Sequence, residues 1–347
     1  MTVLEQRYRS VLRLLPASFR EVWEEDMVAG FLARAAPGDP TEADDVADLG
    51  RPSWREVAGV VALATRLRLG GMEAPPRPFA WGQAVRTVAL VALLVQAVTA
   101  VTGLVSLLWI TGVVPGLPAE PVVGPSAWQV TQTVAAVVWV AAYLMLVGGR
   151  RRPAQRLAIL ALLTVVVSAV SRTVTAVAQG WPLSMLTLWT DVLVTGLLTL
   201  ALVAFRDDTP PIRRTPWLVA LPVGVLLTYV PLLVWVTSHT DSRMLDWPGI
   251  CCLAVIAASV VHLVGRATGR VADGSHWSLA LALLVLAVLV LRVTSIADVA
   301  WFGGVEANRD LLLGGVAEGA VVLLLGVPLV GLAARTLRRL PPMATVA

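Results

Sequence analysis

The pattern of apolar and polar positions changes abruptly near residue 80 of this 347-residue chain. Before that point, apolar residues recur at helical spacing among charges. After it come long apolar runs, separated by short loops that carry arginine or acid. In the first part, Leu4, Tyr8, Val11, Leu12 and Leu15 mark one amphipathic helix, which Pro16 interrupts. Ser18 and Glu21 have the capping-box spacing. Phe19, Val22, Trp23, Met27 and Phe31 supply the apolar side of a second helix. Ser53 and Glu56 repeat the box and open a third helix that runs to about Leu69. The stretch from Pro37 to Gly50 is acidic and rich in turn residues, so it reads as a mobile loop. Residues 1–70 are therefore expected to form a three-helix module, with residues 71–86 as a stiff, proline-bearing linker.

A membrane-spanning helix needs about 20 mainly apolar residues. Eight runs qualify: Thr87–Ile110, Trp128–Val147, Leu157–Ala178, Leu183–Phe205, Trp217–Val236, Gly249–Val264, Trp277–Val299 and Leu311–Ala334. The expected fold class is thus all-α: an eight-span membrane helix bundle over residues 87–335, with the three-helix module before it and a short tail, 336–347, after it. Arginine sets the orientation, because cytosolic flanks carry the positive charge. Arg77 and Arg86 precede the first span, Arg150, Arg151, Arg152 and Arg156 sit between the second and third, and Arg206, Arg213 and Arg214 follow the fourth. Arg266 and Arg270 follow the sixth, and Arg335, Arg338 and Arg339 the eighth. The alternate loops hold only Arg243 and Arg309. Both termini are expected in the cytoplasm and the protein in the plasma membrane. The first residues are charged and show no signal-peptide pattern.

Composition agrees with that division. The chain is 57% hydrophobic, with a mean hydropathy of +0.78. The net charge of +4 hides a split. Residues 1–80 hold 10 arginines against 12 acids, so the module lacks the basic patch that nucleic-acid binding requires. The surplus positive charge belongs to the cytosolic flanks of the spans. Cys251 and Cys252 are the only cysteines, and adjacent residues do not make a disulfide framework.

The run Arg7-Tyr8-Arg9, Leu12-Arg13-Leu14, Pro16-Ala17-Ser18-Phe19-Arg20 and Glu25-Asp26-Met27 resembles a short N-terminal module of actinobacterial multi-pass membrane proteins, with a layout like that of HAAS-type domains. Such proteins are often encoded beside PadR-type transcriptional regulators. The resemblance covers about one fifth of the chain and implies a membrane-linked signalling or accessory role with a cytosolic partner. It brings no catalytic residues. The plain alternative for these charges is a solvated helix surface with cross-helix ion pairs.

Ionisable groups inside a span are costly and usually face the bundle interior in pairs. Arg172 lies in the third span and Asp191 in the fourth. Each sits in a polar stripe: Thr164, Ser168, Arg172, Thr175 and Gln179 on one helix, and Ser184, Thr187, Asp191 and Thr195 on the other. Arg292, with Ser295 and Asp298, lies in the seventh span. Glu318 lies in the eighth, within Gly315-x-x-x-Gly319, a pattern that lets another helix approach closely. The expected contacts are Arg172 with Asp191 and Arg292 with Glu318, both in the outer half of the bundle. The arginines are 120 residues apart and the acids 127, which suggests two four-helix repeats of parallel topology. These groups, with Ser168, Thr187, Ser295 and Asp298, either line an outward-facing polar cavity for a small ligand or protons, or fix helix register as structural ion pairs.

The three histidines, His239, His262 and His276, form no metal-ligand spacing, and a cation held by His239, Asp241 and Asp246 is less expected than a solvated loop. No Walker A, H-E-x-x-H, G-x-S-x-G or dinucleotide fingerprint is present, so neither an enzyme nor a cofactor is expected. The expected function is a membrane sensor or accessory subunit, with the bilayer and a cytosolic protein that meets residues 1–70 as partners. The alternatives are a transporter or permease-like subunit and a structural membrane scaffold.

Overall fold

The computed structural model describes residues 2–35, 50–70, 76–113, 126–179, 185–206, 209, 211–238, 246–270, 276–303 and 308–340. Among them the regular structure is helical throughout: α1 Val3–Leu12, α2 Ala17–Ala35, α3 Trp54–Leu69, α4 Pro76–Ile110, α5 Ala127–Val147, α6 Arg151–Gln179, α7 Met185–Leu200, α8 Arg214–Ser238, α9 Trp247–Ala267, α10 Trp277–Gly303 and α11 Arg309–Arg339. A short 3-10 turn, Ala201–Ala204, follows α7. The acidic loop over 37–49 and the expected turn between the third and fourth spans (180–182) lie outside the described residues, as do Ser184 and His239. The chain divides into two compact units, residues 1–83 with 337–347, and residues 84–336.

In the first unit, Leu4, Tyr8, Leu12 and Leu15 pack against Val28 and Phe31 of α2 and Val60 and Ala64 of α3. Tyr8 and Phe31 stack with ring centroids 4.0 Å apart. Burial pushes the Tyr8 hydroxyl up from its ordinary pKa, and the nearby Glu56 carboxylate adds to the shift. The apolar side of α2 differs from the expectation. Val22 and Trp23 are 54% and 50% exposed, while Val28 is buried in their place. Helix α2 begins at Ala17, which puts Ser18 inside its first turn; that side chain lies outside the described residues. The box at Ser53 forms completely. Ser53 Oγ accepts from Glu56 N and Glu56 Oε2 accepts from Ser53 N, which satisfies two free amides at the start of α3. Arg9 gathers Glu5, Glu24 and Glu25 at 3.0, 3.4 and 2.8 Å, tying α1 to α2. Residues 76–86, expected as linker, are the first turns of α4. Arg77 Nε donates to Leu340 O at 2.7 Å, covering a carbonyl beyond the C-terminal end of α11.

In the second unit, seven helices are long and apolar enough to cross a membrane: Pro76–Trp109, Ala127–Val147, Arg151–Ala178, Met185–Ala204, Trp247–Ala267, Trp277–Trp301 and Leu312–Arg339. The fifth expected run, Trp217–Val236, falls within α8, a single helix of 25 residues whose side chains from residue 230 onward lie outside the described set. The outward faces are apolar. Leu163, Val174, Leu227, Leu324 and Val327 are each between 55% and 71% exposed, a surface that suits lipid and not water. Inside, Ala154, Ala158 and Ala161 of α6 are fully buried against Tyr143, Leu146 and Val147 of α5. With so little side chain in between, the two backbones approach closely.

Polar side chains stitch the ends of this bundle together. Gln155 Nε2 donates to Leu202 O and Phe205 O at 2.9 and 3.1 Å, joining the start of α6 to the end of α7. Tyr143 Oη donates to Trp217 O at 2.5 Å, joining the end of α5 to the start of α8. At other levels, Gln96 Nε2 donates to Thr195 Oγ1 at 3.2 Å, and His262 Nε2 meets Ser278 Oγ at 2.8 Å between α9 and α10.

Candidate functional site

The densest charge cluster inside the bundle is built on α10, α11 and the N-terminus of α9. Asp246-Trp247-Pro248-Gly249 starts α9: Asp246 is the N-cap, its Oδ1 accepts from Gly249 N at 3.0 Å, and proline occupies the first turn, where its missing amide costs nothing. The capping carboxylate does a second job. Arg292 Nη1 donates to Asp246 Oδ1 at 2.6 Å, and Ser295 Oγ donates to Asp246 Oδ2 at 3.1 Å. On its other side Arg292 Nη2 lies 2.7 Å from Glu318 Oε2. The Arg292 side chain is 3% exposed, and those of Asp246 and Glu318 are 30% and 17% exposed.

Glycine makes room for the arginine. A Cβ on Gly315 would lie 3.0 Å from Arg292 Nη2 and 3.2 Å from its Cζ, so the guanidinium rests on the bare backbone of α11. Gly319, one turn on, would place a Cβ 4.0 Å from Arg292 Cγ. The small-residue pair therefore admits the side chain of Arg292 as well as a helix. Cys252, fully buried on α9, lies within electrostatic reach of Arg292 and Glu318.

Two carboxylates face one guanidinium, so the fully ionised cluster holds one negative charge in excess in a low-dielectric surrounding. The arrangement is able to hold α9, α10 and α11 in register, and a shared proton or small cation would neutralise it. Arg292 Nε and Glu318 Oε2 lack a well-directed hydrogen bond, so the Glu318 contact is mainly charge on charge.

A second polar contact lies further along α10. Asp298, 8% exposed, accepts from Thr187 N at 2.8 Å through Oδ2. Thr187 is the third residue of α7, so a carboxylate from another helix satisfies an amide at the N-terminus of α7 and lies at the positive end of its dipole. The Thr187 hydroxyl itself is buried with no partner among the described residues.

The expected pair of Arg172 and Asp191 does not form. Arg172 is exposed and has no carboxylate partner among the described residues. Asp191 is partly buried and lies within electrostatic reach of Cys251 on α9. Adjacency in sequence suggested the pair, but Arg172 lies on an exposed face of α6 while Asp191 is partly buried on α7. Ser168 is half-buried on α6 and makes no hydrogen bond among the described residues. The repeat expected from the even offsets is not matched in the pairing, since Arg292 is held by two acids and Arg172 by none. Asp246, expected in a solvated loop, is the residue that sequence reasoning missed. Its signal was the N-cap aspartate ahead of Trp247-Pro248.

Among the described residues no three His, Cys, Asp or Glu side chains stand close enough to share a metal ion. The chain matches no protein-family model, and no curated protein or solved structure resembles it at a significant level.

Proposed function

We propose that this is an eight-span protein of the plasma membrane that works as a sensor or accessory subunit, with its N-terminal module meeting a soluble cytosolic partner. The observation that carries the reading is the apolar surface the module leaves open. Val22, Trp23 and Trp54 are 54%, 50% and 82% exposed although α1, α2 and α3 share a closed core. Large aromatic side chains left in water on a small domain suit a docking surface, where tryptophan contributes disproportionately to binding. The resemblance of residues 7–27 to HAAS-type modules points to a PadR-type regulator as that partner.

The eighth span rests on an argument from ends. The start of α8 meets the end of α5, where α6 begins and α7 finishes. The N-cap of α9 meets the C-terminal half of α10, which in turn meets the start of α7. A start of α8 at one end of the bundle and a start of α9 at the other support a crossing by α8. Arginine counts support a cytoplasmic α5–α6 end, and with it cytoplasmic termini.

The second reading is a transporter or permease-like subunit, and the excess carboxylate beside Arg292 favours it. The 3% exposure of Arg292 counts against an open cavity there. A structural scaffold would use the same cluster for register alone.

The test uses the full-length chain in native membranes and a PadR-type regulator from its gene neighbourhood; a neighbourhood without one would itself count against the reading. The wild-type chain should retain that regulator on purification, and Trp23→Glu with Trp54→Glu should release it while the chain stays inserted. Retention by the double variant, or no capture by the wild type, would remove the signalling reading. Reporter fusions after Pro118, His239 and Ala307 should report outside and those after Arg152, Thr209 and Gly274 inside. A fusion after His239 that reports inside would end the eight-span topology.

A further inference from the structure

At the α5–α6 end of the bundle a cleft of about 460 Å³ opens between the α5–α6 turn and the segment leading into α8. Its volume falls within the ~300–1,000 Å³ usual for small-ligand sites. Arg150, Arg151, Arg152 and Arg214 line it, along with Val147 and Ile212. No acid occurs among its described lining residues. Asp207 and Asp208 are near in sequence and lie outside the described residues. Even counting both, the two segments 148–156 and 205–215 carry seven arginines against two acids.

One of these arginines is anchored across the cleft. Arg151 Nη2 donates to Thr209 O at 2.9 Å, which anchors one side of the cleft to the other. The tight turn before α6 needs Gly149 at φ +86, and a Cβ there would lie 3.6 Å from Arg214 Nη2. The Arg214 guanidinium thus sits beside the turn that leads into α6.

That helix start is electrostatically odd. The first turn of α6 carries Arg151 and Arg152 and no acid. A helix N-terminus holds about half a positive charge and prefers anions, so two arginines there repel it. The positive-inside bias explains arginines in this loop but not why they converge on a cavity at a helix start. A bound anion would remove the repulsion and use the free amides of α6. The anion chemistry that fits several arginine charges at a helix start is phosphate. The apolar members of the cleft that keep exposed surface, Pro153, Pro211 and Ile212, supply a border that a free phosphate has no use for and a lipid glycerol and acyl stem does.

We propose that this cleft binds the phosphate headgroup of an anionic phospholipid at the inner surface of the membrane. Basic pockets between helix ends on the cytoplasmic side suit such headgroups, and an arginine near the surface is worth about fivefold in affinity for an anionic lipid. The assignment of the inner surface rests on the arginine topology, which the reporter fusions test separately.

The experiment takes the full-length protein in nanodiscs of phosphatidylcholine containing phosphatidylglycerol and counts retained phosphatidylglycerol by native mass spectrometry. Arg150→Gln with Arg214→Gln should lower its apparent affinity by about 25-fold, roughly fivefold for each arginine. Arg150→Lys with Arg214→Lys should keep most of it. Arg156→Gln, a charge removed from the same helix outside the cleft, should cost clearly less than the loss of a cleft arginine, because it reaches the headgroup only as screened surface charge. Equal retention by the glutamine double variant would overturn the site, as would an equal loss in Arg156→Gln, which would mean diffuse charge attraction. If inorganic phosphate displaces the lipid at comparable concentration, the lipid assignment falls. If the glutamine variant fails to fold, loss of binding by the folded lysine variant would also count against the geometry.

Discussion

Replacing Arg292 with methionine should be among the most damaging single changes in the bundle. Methionine keeps much of the volume and removes the charge. The guanidinium now faces Asp246 Oδ1 at 2.6 Å and Glu318 Oε2 at 2.7 Å. At an effective dielectric of about 20, opposite charges about 4 Å apart attract by about 4 kcal/mol. Desolvation of all three groups cancels much of that gross attraction, but the cancellation disappears when one partner is removed. Two carboxylates then face each other without a cation, and the expected cost is about 3–5 kcal/mol. Glu318→Gln leaves Arg292 with Asp246 as a neutral pair and should cost less, about 1–3 kcal/mol. The triple change Arg292→Met, Asp246→Asn, Glu318→Gln should recover most of the stability, because no charge remains and asparagine still caps α9. The assay is unfolding of the full chain in detergent, followed by tryptophan fluorescence and by loss of the monodisperse peak in size exclusion. The reasoning fails if Arg292→Met is no worse than Glu318→Gln, or if the triple variant is as unstable as the single one. A triple variant that is stable but inactive would move the cluster from register to ligand or proton handling.

Gly315→Ala should cost about 1–3 kcal/mol in the same assay, because its methyl group would meet Arg292 and Ile296 Cγ1 at about 3.0 Å; an unchanged midpoint would show that α11 yields freely. Asp298→Ala should cost about 1 kcal/mol by exposing the Thr187 amide, and hydrogen exchange at the start of α7 should rise, whereas Asp298→Asn should keep most of the cap. In the module, Arg9 holds the Glu25 carboxyl below its ordinary pKa through a direct hydrogen bond. Its contribution is therefore complete above the unfolded glutamate value of about 4.3 and is lost as pH falls from there through the lower folded value. Glu25→Gln should flatten that part of the module's pH-stability profile, read from hydrogen exchange of α1 and α2 in the full chain, and an unaltered profile would assign the pH dependence to other acids.

Much of the local architecture was legible along the chain. Seven of the eight apolar runs lie in helices of membrane-crossing length, since an unsatisfied backbone amide in lipid costs several kcal/mol. The start of α3 was set by Ser53 and Glu56, whose reciprocal hydrogen bonds involve four consecutive residues and no tertiary contact. The face of α1 followed from Leu4, Tyr8 and Leu12, because a helix half in water separates apolar from polar positions. The same reasoning was less secure for α2, where Val22 and Trp23 fit the apolar period yet stand in solvent while Val28 joins the core. A pattern with apolar residues on more than one face does not say which face is covered.

Partner choice inside the bundle was decided only by the tertiary structure. Within lipid the inward and outward faces of a helix are both apolar, so periodicity carries little information about its rotation. Arg172 on α6 and Asp191 on α7 follow one another in the chain and still do not pair: Arg172 lies on an exposed face and Asp191 on a partly buried one. Asp246 looked like a loop acid because the polar stretch from Ser238 to Arg243 precedes it, and it became a partner of Arg292 when the start of α9 was brought beside α10. The sequence by itself determined which segments are helices and which ends carry arginine. The order and rotation of helices, which long-range packing alone selects, determined which charges meet.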